Sequence, residues 1–347
     1  MITRYHIVPA NRPDCFSAGI RYTQPLAPPR SSRLLAESAL LYAAAIWGST
    51  FFVVKGVLAY IDPVVLVGYR FTAAALLIGL WLVWRRAKLW HGIKHGLFLG
   101  FILWILYVAQ TIGLGITTAS NSGFITGLFI VFVPLTNWLL YRQRARVRHL
   151  AAVGLSLIGL WLLTGGAGGI NAGDLLTLAA AVTYAIHVIY AGRCLGERGE
   201  RRIGEQVDPW VLNFQQMLTV GLLALLTALT QGVLSAGGRG LDLAASTGQQ
   251  FAVTSAGAWW TLLFLMLLPT ITAYVAQLYG QRIVSATRAA LIFTMEPVFA
   301  ALFAWTLGRE PFLALSALGG ALMVAAMLVS EIEWTRPRRS SDAVSSG

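Results

Sequence analysis

The chain has 347 residues, of which 57% are hydrophobic and only 12% charged, about half the ~25% charged share of a soluble globular domain. That balance excludes an ordinary water-soluble fold and points to a polytopic membrane protein. A formal net charge of +12 does not indicate nucleic-acid binding, because the basic residues sit in short segments between apolar runs and not on one solvated face.

In chain order, residues 1–33 mix Arg, Pro and polar residues and lack the apolar stretch of a cleaved signal peptide. They read as a disordered cytosolic N-tail, or as an extension from an upstream start site. Ten apolar runs follow, at 35–55, 64–84, 95–115, 119–141, 149–165, 173–193, 209–230, 258–280, 285–307 and 311–331. Each is near the roughly 20 residues that span a bilayer as a helix. Residues 334–347, with Arg336, Arg338 and Arg339, are too polar to pack and read as a disordered cytosolic C-tail.

Orientation follows from Lys and Arg, which accumulate in short cytoplasmic loops. The N-tail carries Arg4, Arg12, Arg21, Arg30 and Arg33, and the segment after span two carries Arg85, Arg86, Lys88 and Lys94. Span four is followed by Arg142, Arg144, Arg146 and Arg148, and span six by Arg193, Arg198, Arg201 and Arg202. The alternate loops hold Lys55, Arg239 and Arg309 or nothing. Both termini are therefore expected on the cytoplasmic side of an inner membrane.

The runs repeat. Tyr107-Val108-Ala109-Gln110 returns as Tyr274-Val275-Ala276-Gln277, Asp62-Pro63 with Leu66 returns as Asp208-Pro209 with Leu212, and Glu37 with Ala44-Ala45 matches Asp174 with Ala181-Val182. The order is kept while the spacing grows. Two halves, 34–166 and 172–331, each hold five spans, so the second enters the membrane from the opposite side. The expected fold is an all-α integral membrane protein of ten transmembrane helices in two inverted five-helix repeats, an arrangement that in secondary transporters places substrate near the midplane between the halves.

At Ile46-Trp47-Gly48-Ser49-Thr50-Phe51-Phe52-Val53-Val54-Lys55, Asp62-Pro63 and Tyr69-Arg70-Phe71 the chain resembles the drug/metabolite transporter superfamily, EamA type. The likeness continues through Ala119-Ser120-Asn121-Ser122-Gly123-Phe124 to Pro134, and returns at Ala286-Thr287-Arg288-Ala289-Ala290, Glu296-Pro297 and Gly308-Arg309-Glu310-Pro311. It implies a ten-helix carrier, proton-coupled or facilitative, that exports amino acids, metabolites or drugs. One departure is that the first half has Arg142-Gln143-Arg144 where the family pattern carries an acidic residue.

Glu296 lies mid-span beside Pro297, where a charge costs roughly 2.5 to 3.5 kcal/mol on insertion scales. It reads either as a proton-titrating or substrate-countering carboxylate, or as a buried acceptor at a helix bend. Arg70 is expected within about 6 Å of its depth by helical rise, either paired with it across the halves or snorkelling along span two. Its repeat counterpart is Gln216.

Trp47, Tyr107, Tyr184 and Tyr274 either line a central pocket or anchor helix packing and the membrane interface. Gln110 and Gln277 follow Tyr107 and Tyr274 by one turn and read as pocket groups. His187 reads either as a coupling group that titrates near neutral pH or as a packing histidine. Pro134 and Pro297 are expected to bend their helices, asymmetrically, because they fall one turn apart when the halves are aligned on Tyr-Val-Ala-Gln. Lys55, Glu37, Asp174 and Arg288 lie at span ends and read as interface anchors.

The expected activity is secondary export of small organic solutes across the inner membrane by alternating access, either proton-coupled or facilitative. The competing class is a membrane-embedded lipid- or metabolite-modifying enzyme, which would call for paired carboxylates, a nucleotide loop or clustered His at a membrane face. No phosphate-binding loop or dinucleotide fingerprint is present, and Cys15 and Cys194 have no metal-ligand spacing. No cofactor, metal or nucleic-acid partner is expected, and no residue pattern speaks to oligomeric state.

Overall fold

The computed structural model describes residues 30–142, 147–164, 169–195, 207–235, 248–284, 289 and 292–331. Among them all regular structure is helical. The helices are α1 (Arg30–Val57), α2 (Pro63–Trp84), α3 (Ile93–Ile116), α4 (Ala119–Gly127), α5 (Phe129–Tyr141) and α6 (Val147–Leu163). Then come α7 (Ala172–Leu195), α8 (Pro209–Ser235), α9 (Ala256–Leu265), α10 (Ala273–Ile283), α11 (Met295–Thr306) and α12 (Ala314–Glu331). A π-helical turn, Met266–Thr272, joins α9 to α10 without a break.

Seven stretches, with α4 and α5 counted together and α9 joined to α10, are long and apolar enough to cross a membrane, and Leu150–Leu163 and Ala314–Val329 are shorter apolar helices. The expected ninth span is described only in part, chiefly as α11. Residues 1–29 and 332–347, residues 143–146, the basic segment at 196–206, Arg239, Cys15 and Arg288 lie outside the described residues, while residues 30–33, expected in the N-tail, open α1. Exposed side chains such as Leu80 and Trp84 form the surface that a bilayer would solvate.

The repeated Asp-Pro pairs lie at helix starts. Asp62 caps α2 by accepting from Val64 N at 2.8 Å and Val65 N at 3.2 Å, and Pro63 occupies the first turn, where its missing donor is no loss. The repeat-related Asp208 does the same for α8, accepting from Trp210 N at 2.8 Å. Asp174 departs from its expected role. It is 2% exposed and no interface anchor. Its side chain accepts from Asn171 N at 3.1 Å while Asn171 Oδ1 accepts from Asp174 N at 3.0 Å, a reciprocal cap that satisfies two otherwise orphaned donors.

Helix packing joins the halves throughout. α1 lies on α10 and α11, α3 on α7 and α8, and α2 on α8; α4 lies on α11 and α7, and α6 on α12. Small residues set the closest approaches, as is usual where lipid offers no hydrophobic drive for helix association. A Cβ added at Gly48 of α1 would lie 2.6 Å from Phe299 Cβ and 2.8 Å from the Glu296 carbonyl oxygen, and one at Gly127 would lie 3.0 Å from Pro297 Cγ.

The bends correct the asymmetry expected from the prolines. α4 passes to α5 at Leu128 (φ −61°, ψ −13°), and α11 begins after Thr294 (φ −61°, ψ −16°). These two sites have nearly the same backbone angles, and their separation is within one residue of the 167-residue spacing of Tyr107 and Tyr274. Pro134 sits inside α5, beyond its bend, and Pro297 sits in the first turn of α11.

Candidate functional site

Where α1, α2, α3, α7, α10 and α11 converge, a small cavity of about 30 Å³ is lined by Trp47, Arg70, Tyr107, Gln110, Tyr184 and Tyr274. Glu296 faces it from the first turn of α11, and Thr50 and Thr126 add hydroxyls. The lining is aromatic with few polar groups, the composition of a small-molecule site.

Each polar group is held by an identifiable local device. The π-helical turn lets the Thr270 hydroxyl donate to the Leu265 carbonyl at 2.7 Å. It also leaves the Pro269 carbonyl to accept from Trp47 Nε1 at 2.8 Å, and π-turns inside helices recur at functional sites for this kind of reason. Trp47 then packs edge-on against Tyr274, with ring centroids 5.2 Å apart, and against Phe293 at 5.7 Å. Tyr107 and Tyr274, which the repeat relates, meet hydroxyl to hydroxyl at 2.8 Å. Tyr184 is set by Phe129, with centroids 4.3 Å apart, and the Gln110 amide donates to Thr126 Oγ1 at 2.9 Å.

Arg70 is 6% exposed and does not snorkel. Its Nε donates to Thr270 Oγ1 at 2.5 Å, and its guanidinium lies over the Phe71 and Tyr107 rings at 5.0 and 5.4 Å, a cation–π arrangement. Glu296 is 4% exposed, and its Oε2 has no hydrogen-bond partner among the described residues. The expected Arg70–Glu296 contact is not made: among the described residues the ion pair within 4.0 Å is Arg33–Glu37. The cation and the carboxylate share a cavity without touching, because the π-helical turn draws the guanidinium to Thr270.

Two further expected residues lie apart from the cavity lining. Gln277 is buried but outside it, so the repeated Tyr-Val-Ala-Gln delivers its tyrosines and only one of its glutamines. His187 bonds Gln216 Oε1 through Nε2 at 3.1 Å, and Gln216 in turn donates to Asn213 Oδ1 at 3.0 Å. Thr270 and Pro269 were not singled out from the sequence, although a proline within an apolar span was the available signal.

At the α1–α2 end of the bundle Glu310 forms a polar latch on α4. Glu310 accepts from Ala119 N at 2.5 Å, Ser120 N at 3.2 Å and Ser120 Oγ at 2.7 Å, placing its carboxylate on the start of α4, where the helix dipole favours a negative charge. Lys55 does not reach outward; its Nζ donates to the carbonyls of Leu114, at 3.1 Å, and Thr117. The Thr117 hydroxyl donates to Asp174 at 2.5 Å. Removing the latch with Glu310→Ala should cost the closed state about 1–3 kcal/mol, the range for hydrogen bonds to a charged group. A cysteine introduced by Thr50→Cys should then react with a membrane-impermeant maleimide at least about tenfold faster. Unchanged labelling would show that Glu310 does not hold this end shut.

A helical membrane bundle with an aromatic and sparsely polar cavity at its centre is the architecture of a solute transporter. The EamA-like transporter family model matches residues 34–165 and again 171–331, and the chain belongs to that family. It is 28% identical over 300 residues to an "Uncharacterized transporter" of Archaeoglobus fulgidus, covering 86% of each chain. It is also 25% identical over 231 residues to the "Uncharacterized transporter YdfC" of Bacillus subtilis, covering 65% of this chain and 66% of that one. A solved crystal structure superposes with a TM-score of 0.56 at 18% identity over 86% of this chain and 96% of that chain, a likeness of fold.

Proposed function

We propose that the chain is a ten-span secondary carrier that exports small organic solutes across the inner membrane by alternating access, with protons as coupling ion and both termini in the cytoplasm. The observation that carries the reading is the cavity itself, in which Arg70 and Glu296 face one another's side of the bundle unpaired. Unpaired groups of opposite sign at mid-depth are costly without a solute, a proton or water to satisfy them.

The inverted repeat is supported by packing. Exchanging the halves turns the contact of α1 with α10 into that of α3 with α7, and the contact of α1 with α11 into that of α4 with α7. The contacts of α2 with α8, α4 with α11 and α6 with α12 exchange into themselves. Repeat mates Tyr107 and Tyr274 touch, as residues near a two-fold axis do. Two such halves can trade conformations, which would open the cavity to one side and then the other.

Solutes of this cavity would be amino acids, other metabolites or drugs with an apolar body, gripped by Trp47, Tyr107, Tyr184 and Tyr274 and oriented by Gln110 and Arg70. In proteoliposomes, a preloaded solute should drive saturable counterflow of its labelled form. A solute that binds but shows no counterflow, or flux that rises linearly without saturation, would overturn the carrier reading.

A further inference from the structure

We propose that a lateral groove between α2, α8 and α9 admits the alkyl chain of a single-chain amphipathic organic anion from the bilayer, and that Arg70 receives its anionic head. This rests on the carrier reading above and names a substrate class for it.

The groove has a volume of about 550 Å³ and is lined mainly by apolar side chains, among them Leu76, Leu225, Trp259 and Met266. Arg70 lines this groove and also the central cavity, so one side chain stands between the membrane-facing space and the site at the centre. Only its Nε is hydrogen-bonded among the described residues; neither terminal nitrogen has a partner there. Thr72 lines the same groove, and its Oγ1 is buried without a partner.

A guanidinium with free planar donors is suited to a carboxylate or sulfonate head. A cationic head would meet an uncompensated like charge. The remainder of the wall offers apolar contact and suits a hydrocarbon chain lying along Leu76 and Trp259. The groove falls within the ~300–1,000 Å³ of sites for drug-sized ligands, which favours one chain over a two-chain phospholipid. Membrane helices that expose an ionisable group to an apolar groove pay for it unless the group has work to do.

The test uses the full chain in phosphatidylcholine nanodiscs with no gradient. A long-chain fatty acid bearing a diazirine is photolysed, and labelled peptides are mapped by mass spectrometry, with the matching long-chain alkylamine as control. The expected result is labelling by the acid at residues 69–76 and 259–266, reduced at least about tenfold in Arg70→Gln, as loss of a charge-assisted contact implies. Ala73→Trp, which fills the groove from its lipid-facing wall while leaving Arg70 in place, should reduce it similarly with an unchanged thermal unfolding midpoint. If Arg70→Gln does not fold, Ala73→Trp decides alone.

Equal labelling by the amine, or labelling scattered over the lipid-facing surface, would overturn the proposal. Loss of labelling on adding phosphatidylglycerol would also overturn it, in favour of a bilayer lipid as occupant. Because labelling needs no transport, a chain that shows counterflow of another solute but takes no label loses this inference and keeps the carrier reading.

Discussion

Glu296→Gln is expected to reduce proton-driven solute accumulation to the level of protein-free liposomes while leaving solute–solute exchange intact. The side chain lies in the first turn of α11, 4% exposed, with Oε2 unpartnered and the ion pair with Arg70 unmade. Gln keeps the size and hydrogen-bonding reach of the carboxyl group but exchanges no proton, so the fold and the cavity walls should persist. Accumulation is measured in proteoliposomes with an imposed pH gradient, and exchange with equal solute on both sides at a single pH. A variant that accumulates solute with the pH dependence of the unaltered protein would remove Glu296 from the coupling step. A variant that loses exchange as well would assign it to solute binding.

The second large effect is structural and concerns the neighbour that positions Glu296. Gly48 lets α1 approach α11 so closely that a Cβ there would meet Phe299 Cβ at 2.6 Å, the Glu296 carbonyl oxygen at 2.8 Å and Ala300 N at 2.9 Å. Two of these are backbone atoms, which cannot swing aside as the end of a long side chain can. Gly48→Ala must therefore spread the two helices, and overpacking of this kind costs about 1–3 kcal/mol or more. Gly48→Leu should fail to give monodisperse folded protein in detergent, and Gly48→Ala should lower the thermal unfolding midpoint and slow exchange by displacing Glu296. A Gly48→Leu protein with the original midpoint and exchange rate would show that α1 and α11 do not need this contact.

Several features of this site were legible before any coordinate. Asp62-Pro63 and Asp208-Pro209 mark helix starts and cap them as their residue types require. The repeated tyrosines do meet, and Trp47, Tyr107, Gln110, Tyr184, Tyr274, Arg70 and Glu296 share one cavity. Others were misread for stated reasons. Gln277 shares the motif of Gln110 but not its place: it is buried outside the cavity lining, although Tyr274 in the same helix lines it. Asp174 looked like an interface anchor because it lies at a span end, yet it is a buried cap. The bends at Leu128 and Thr294 are nearly equivalent although their prolines are not.

The division has a physical cause. Hydropathy, loop charge and capping residues act within one helix or at its ends, so the linear order of residues was enough to determine a multi-pass helical membrane protein with two related halves. Which face of each helix turns inward depends on how the helices cross. That is decided by atoms distant in sequence: Gly48 against Glu296 and Ala300, Gly127 against Pro297, and Thr270 against Arg70. Tertiary packing alone therefore decided that Arg70 binds Thr270 and leaves Glu296 unpaired.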